Sequence, residues 1–225
     1  AAVAAKFEKD TGLKVQWIRA SSNEMYARIE AEKVNPKGDV WFGGTGDPPF
    51  AAAEAGLTEP YCPSNFGELR EWMRDPIGNC RTIGLYAGPL GWAVNEGVLK
   101  KQGKPMPQTW DDLTKPEYKG LIAISNPTTA GTAYTALVTL LLLKGEDKGW
   151  DYLAKLHKNI AQYTKSGSAA GQLAGRGEVG IGIVFLHDSV MFAEEGFPVK
   201  PVAPADGTGY EIGGLSLIKG APNKE

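Results

Sequence analysis

The chain has 225 residues, 42% of them hydrophobic and 22% charged, which is enough apolar material to bury a core in one large domain or two small ones. With 26 acids against 24 bases the formal net charge is -2, so no broad basic face is available for nucleic acid or an anionic membrane surface. Repeats, low-complexity tracts and charged tails are absent, and two histidines without a Cys-x-x-Cys pair exclude a structural zinc cluster.

The elements follow in chain order. Residues Ala1 to Asp10 read as a helix stopped by Gly12. Leu13 to Ile18 alternates apolar and polar residues and predicts a strand, and Ser21-Ser22-Asn23 then caps a helix from Glu24 to about Lys33. Asp39 to Phe42 predicts the next strand, which runs straight into Gly43-Gly44-Thr45-Gly46-Asp47, a loop whose glycines admit close ligand approach. Phe50 to Gly56 is helical again. This rhythm of strand, small-residue turn and helix belongs to parallel α/β units, where ligands sit beyond the carboxyl ends of the strands. The turns at Ser21 and Gly44 are therefore expected on one edge.

Thr82 to Asn95 reads as one long extended segment bent at Gly88-Pro89 and Gly91. A second βα unit then follows: a short helix at Thr109 to Leu113, a strand at Gly120 to Ile124, helices at Thr128 to Leu143 and Gly149 to Lys158, and an extended Gln162 to Thr164. A small helix at Ser168 to Arg176 and a buried strand at Val179 to Phe185 complete it. The apolar run Ala130 to Leu143 falls short of the roughly 20 residues that span a bilayer. Phe197 to Ala203 returns toward the start, and Tyr210 to Lys219 makes a last strand. Lobe one is thus expected at 1–88 plus 206–225 and lobe two at 89–205, with hinges at about Gly88 and Ala205 and a ligand cleft between them. Pro222 to Glu225 reads as a cap with a first turn. The chain is expected to lack native segments at both ends, including a first strand, C-terminal helices and any export signal.

Cys62 and Cys80 lie in a loop-like stretch rich in Pro, Gly and Asn; a lone pair of this kind suits a disulfide in an oxidising compartment, with two free thiols as the alternative. Four turns carry candidate ligand contacts. Ile124 to Thr135 ends a strand and opens a helix with Thr128, Thr129, Gly131 and Thr132, where unpaired N–H groups and the helix dipole favour an anion without Lys or Arg. Simple capping by Thr128 or Thr129 is the competing use. Lys165-Ser166-Gly167-Ser168 repeats the device. Phe185 to Ser189 ends a buried strand in His187 beside Asp188, either ligand contacts or a surface pair at a helix start, and Glu211 sits among glycines at the second crossing. No nucleophile with its base, phosphate loop or H-E-x-x-H points to an enzyme.

The phrases Asp39 to Gly46, Gly131 to Leu137, Gln162 to Ser168 and Gly209 to Gly214 together resemble the extracellular solute-binding proteins of the ferric-iron-type group. That resemblance implies a type II periplasmic-binding fold that closes on a ligand and presents it to a membrane permease of an ABC importer. The iron binders' adjacent tyrosines are absent where Phe185-Leu186-His187-Asp188 stands, and ferric iron prefers hard anionic oxygen ligands. The chain is more similar to the subgroup that binds hexose phosphates and aminoethylphosphonate. By that likeness Thr128 to Thr132 hold phosphate, His187, Asp188 and Glu211 hold the sugar end, and Ser21 or Ser22 with Gly44 and Thr45 close over from lobe one. It further implies a monomeric protein, periplasmic or extracellular, with a small anionic organic ligand, no cofactor, no metal and no nucleic acid. The rival readings are an iron or oxyanion carrier of the same fold and a small-molecule-sensing domain of a regulator.

Overall fold

The computed structural model describes residues 2–75 and 79–223; Ala1, Lys224 and Glu225, which belong to the helix and the cap expected at the two ends, lie outside the described residues. The first part comprises α1 (Ala2–Thr11), α2 (Ser22–Ala31), β1 (Val40–Phe42), α3 (Asp47–Glu54), β2 (Thr58–Glu59) and β3 (Ile83–Val94). The second comprises α4 (Glu96–Lys101), β4 (Ile122–Ser125), α5 (Gly131–Lys144), α6 (Glu146–His157), β5 (Ile160–Thr164), α7 (Ala169–Gly175), β6 (Ile181–Phe185), α8 (Leu186–Glu194), β7 (Lys200–Val202) and β8 (Tyr210–Ile218). The sheet order is β1-β8-β3-β6-β4-β5, with β2 paired to β8 and β7 to β3.

Strand β3 serves two sheets. Its residues Ile83 to Pro89 pair antiparallel with β8, and Leu90 to Val94 pair antiparallel with β6. The partner changes between Pro89, which has no N–H to donate, and Leu90. Beyond that point β4 runs parallel to both β5 and β6, as βα units require.

The second sheet is covered on both faces, and strand alternation sorts its residues. Leu90, Trp92, Val94, Ile122, Ile124, Ile181, Ile183 and Phe185 turn toward α5, α6 and the 3-10 turn at Trp110. Ala93, Ala123 and Val184 turn the other way, toward α7 and α8. Trp92 and Trp110 meet edge to face at 5.4 Å in the larger core. The first sheet has a smaller core around Ile29, Trp41, Ala52, Leu57 and Ile218. Cys62 and Cys80 are joined as a disulfide in the connection between β2 and β3.

Two elements differ from the sequence reading. Leu13 to Ile18 has no strand pairing, and Leu13, Trp17 and Ile18 are exposed. Alternation marks a face, but a strand exists only where a neighbour takes up its backbone bonds. Residues Trp110–Thr114 form a 3-10 turn, started by Thr109 and followed at once by Pro116, rather than an α-helix. Helix α4, which the sequence reading passed over, is capped by Asn95, whose side chain accepts from Val98 N.

Candidate functional site between the sheets

Helix α5 begins later than its hydroxyls suggest. Asn126 takes up the turn before it: Thr128 N and Thr128 Oγ1 donate to Asn126 Oδ1 at 2.9 and 2.8 Å, and Thr129 N and Ala130 N donate to Asn126 O. Thr129 Oγ1 donates instead to Lys165 O at 3.1 Å. The N-cap is Ala130, which has no side-chain acceptor, so neither threonine caps the helix. The N–H groups of Gly131, Thr132 and Ala133 occupy the first turn, where no intrahelical acceptor exists. The 14-residue helix therefore presents a positive, uncapped end.

The two hydroxyl-rich turns converge. Besides the bond from Thr129 to Lys165, the Thr132 side chain fills the space a Cβ would need at Gly167. Lobe one meets the same place. Ser22 Oγ is buried and accepts from Thr45 N at 3.1 Å, which ties the Gly43–Gly44 turn to the start of α2. Both of those glycines have positive φ, at 83° and 85°. Thr45 is then pressed onto Gly131, where any side chain would overlap its Oγ1 and Cγ2. Thr45 is 3% exposed and its Oγ1 has no hydrogen-bond partner.

The acids gather on the other side. Glu211 stands opposite Gly88 in the β3–β8 ladder, and the imidazole of His187 lies over that glycine, where a Cβ would come 2.6 Å from Nδ1. His187 and Asp188 are the second and third residues of α8, so they leave the chain about 100° apart rather than on the opposite sides that an extended backbone would give them. His187 Nε2 is 4.0 Å from Asp188 Oδ1, and its ring stacks on Phe185 and meets Tyr86 edge-on, both at 5.6 Å. Burial, with Asp188 and Asp47 adding like charge, pushes the Glu211 carboxyl up to about 8. Burial raises Asp188 too, opposed by His187 and Arg19.

These contacts close into a ring. Arg19 Nη2 donates to Ser168 Oγ at 3.4 Å and its charge reaches Asp188; Asp188 couples to Glu211 and both to Tyr86. Tyr86 hydrogen-bonds the backbone of Gly44, next to Thr45, and Thr45 touches Gly131. Ser21 Oγ donates to Lys165 O at 3.2 Å and Asn23 Nδ2 to Thr128 O at 3.2 Å, so the segment 19–23 stitches the two lobes together. The candidate residues named from sequence border this ring, although Ser21, Ser22, Thr128 and Thr129 spend their hydroxyls on protein partners.

A family model described as bacterial extracellular solute-binding protein matches residues 42–215, which include the Gly43–Thr45 turn, the start of α5, the start of α8 and Glu211. The chain belongs to this family. An uncharacterized protein of Haemophilus influenzae is 46% identical over 223 residues, covering 96% of the chain, which spans 64% of that relative's length. The solved structure of AfuA, a periplasmic binding protein from Actinobacillus pleuropneumoniae with exogenous fructose-6-phosphate bound, is 48% identical. It has a TM-score of 0.94 and covers 98% of this chain and 70% of its own. A Salmonella typhimurium protein provisionally named as a 2-aminoethylphosphonate-binding periplasmic protein is 27% identical over 231 residues, 97% of this chain and 64% of the relative. The solute-binding chain therefore has the type II periplasmic-binding fold, with its two lobes meeting at the ring described above.

Three residues of the ring escaped the sequence reading. Arg19 was hidden behind the apparent strand at 13–18, though it is a lone cation beside a cap and followed by three small polar or apolar residues. Tyr86 sits in the middle of β3, and only pairing with β8 lays its ring across Gly213 and beside Glu211. Asp47 opens α3 and reads from sequence as a helix-start acid, yet its charge reaches Glu211.

Proposed function

We propose that this chain forms the ligand-holding part of a periplasmic receptor that passes a small phosphorylated organic molecule, best a hexose phosphate, to the inner-membrane permease of an ABC importer. The carrying observation is Thr45: a buried hydroxyl without a partner, aimed at the uncapped start of a 14-residue helix. Phosphate seated there accepts hydrogen bonds from the amides of Gly131, Thr132 and Ala133 and from Thr45 Oγ1, without a lysine. The sugar end lies toward Asp188, Glu211 and His187. A carboxyl held up to about 8 keeps its proton near neutral pH and donates to a sugar oxygen, while Asp188 accepts from a hydroxyl.

The lobes in this reading are 1–88 with 206–225, and 89–205, supported by the change of partner along β3. Asp206, whose carboxylate accepts from Trp110 N at 3.1 Å, ties the second crossing to lobe two. A periplasmic location agrees with the disulfide and with the family's extracellular character, and no described helix is long and apolar enough to cross a membrane.

Thermal shift and calorimetry test the assignment. Fructose 6-phosphate and glucose 6-phosphate should raise the melting temperature, by about 2.7 kcal/mol of added stability at a hundredfold excess over Kd, while fructose, inorganic phosphate and a ferric salt should not. Asp188→Ala or Glu211→Ala should each weaken hexose phosphate binding by about 2 kcal/mol. Stabilisation by 2-aminoethylphosphonate alone would move the ligand to a phosphonate, and stabilisation by ferric ion with a visible charge-transfer band would make the protein an iron carrier.

A further inference from the structure

We propose that Tyr86 is a specificity-determining residue that couples the two ends of the cleft, so that the phosphate seat is held in shape only when hydroxyls of the same ligand fill the end lined by His187 and Glu211. The proposal rests on the ligand reading given above. The placement of Tyr86 is built into its strand. Gly84 stands opposite Gly214 and Tyr86 opposite Gly213, so Leu85 is the extra residue of a bulge in β3. Bulges re-aim side chains; without this one Tyr86 would stand opposite Ile212, on the face of the sheet away from Glu211. With it, Tyr86 and Gly88 share a face with Gly213 and Glu211. Glu211 becomes a diagonal neighbour of Tyr86, within reach of an aromatic side chain.

Two glycines clear the space for this arrangement. A Cβ at Gly213 would lie 2.2 Å from Cζ of Tyr86, and one at Gly88 would lie 2.6 Å from Nδ1 of His187. The phenol ring thus lies across Gly213 and the imidazole over Gly88, and the two rings meet edge to face at 5.6 Å. The far end of Tyr86 reaches the phosphate side. Its hydroxyl oxygen accepts from the backbone N–H of Gly44, and the next amide, Thr45 N, donates to Ser22 Oγ. One side chain therefore holds the turn that carries Thr45 and is itself held by the imidazole. His187 comes from lobe two and Tyr86 from lobe one in the division proposed above, so their contact depends on closure. A phosphate ion alone touches only the seat. A sugar that engages His187 and Glu211 also fixes Tyr86, and through it Gly44 and Thr45, which is how the cleft prefers the phosphorylated sugar to free phosphate.

Calorimetric affinities for fructose 6-phosphate test this, measured for Thr45→Val, Glu211→Ala and the double variant, with and without Tyr86→Phe. With Tyr86 in place the two losses should fall short of multiplying by about threefold to tenfold, as expected of sites joined through a shared partner. With Tyr86→Phe, which keeps the ring and removes the bond from Gly44, they should multiply to within about twofold. Gly213→Ala, which crowds the ring from its place, should act as Tyr86→Phe does and serves if that variant fails to fold. In proteins that retain Tyr86, saturating fructose 6-phosphate should slow hydrogen exchange at the Gly44 amide about tenfold, and Glu211→Ala should lose that slowing at equal occupancy. Losses that already multiply with Tyr86 in place, the same shortfall in both backgrounds, or equal slowing in Glu211→Ala would overturn the coupling. If Thr45→Val and Glu211→Ala both leave the affinity unchanged, the ligand reading itself falls and the coupling with it.

Discussion

Glu211 is 6% exposed and has two other carboxylates acting on it, so folding holds back its ionisation. Its folded value lies near 8 against an ordinary 4.5, and the folded chain therefore keeps a proton that the unfolded chain releases. Stability should fall as pH rises from about 4.5 to about 8 and level off on either side of that window. Glu211→Gln should flatten this fall: unfolding free energies of the two proteins from urea melts agree near about pH 4 and separate by a few kcal/mol near about pH 9, with the variant the more stable. Parallel curves across the range would show that Glu211 titrates normally. Thr45 calls for a different test, because its hydroxyl bonds nothing in the protein. Thr45→Val keeps the shape, so the melting temperature should hold while hexose phosphate affinity drops about tenfold. Equal affinity in calorimetry would take Thr45 out of the phosphate seat.

At the scale of elements, the uncapped start of α5 is decided by its neighbours. Asn126 captures the turn, Lys165 O captures Thr129, and the helix is left with free amides facing Thr45. The long connection between β2 and β3 depends instead on covalent closure. Among its described residues are two short 3-10 turns, at Phe66–Glu68 and Glu71–Met73, neither of which buries a residue. The Cys62–Cys80 bridge has a sequence separation of 18, and removing it as Cys62→Ala with Cys80→Ala should cost about 3 kcal/mol by chain entropy. Guanidinium melts read this directly; a loss under about 0.5 kcal/mol would mean the loop is ordered without it.

Contacts between the lobes include the polar pairs Arg19 to Ser168, Ser21 to Lys165 and Asn23 to Thr128, the packing of Thr45 against Gly131, and the His187 ring against Tyr86 and Gly88. Two extended crossings joining the lobes suit a molecule whose closed form needs a ligand. Small-angle scattering should give a larger radius of gyration without ligand than with fructose 6-phosphate. Asn23→Ala should widen the ligand-free form and weaken affinity about threefold to tenfold, as losing one exposed to half-buried hydrogen bond implies. Identical scattering with and without saturating ligand would rule out closure.

Much of this architecture could be read directly from the chain. Hydrophobic runs bounded by Gly, Ser and Thr marked β4, α5, β6 and β8 because those elements are buried on one or both faces, and burial leaves a local pattern. The same small-residue turns marked most of the residues that border the proposed cleft. Pairing and distance decided the rest. Leu13 to Ile18 alternates like a strand yet finds no partner, since a ladder depends on a second segment that periodicity cannot supply. Arg19 meets Ser168 across 149 positions, and Tyr86 reaches Glu211 only through the β3–β8 register. Which hydroxyls stay free was likewise settled in three dimensions: of the threonines marked as candidates, Thr128 and Thr129 are spent on protein partners whereas Thr45 is left unpartnered, because hydrogen bonds are claimed by proximity.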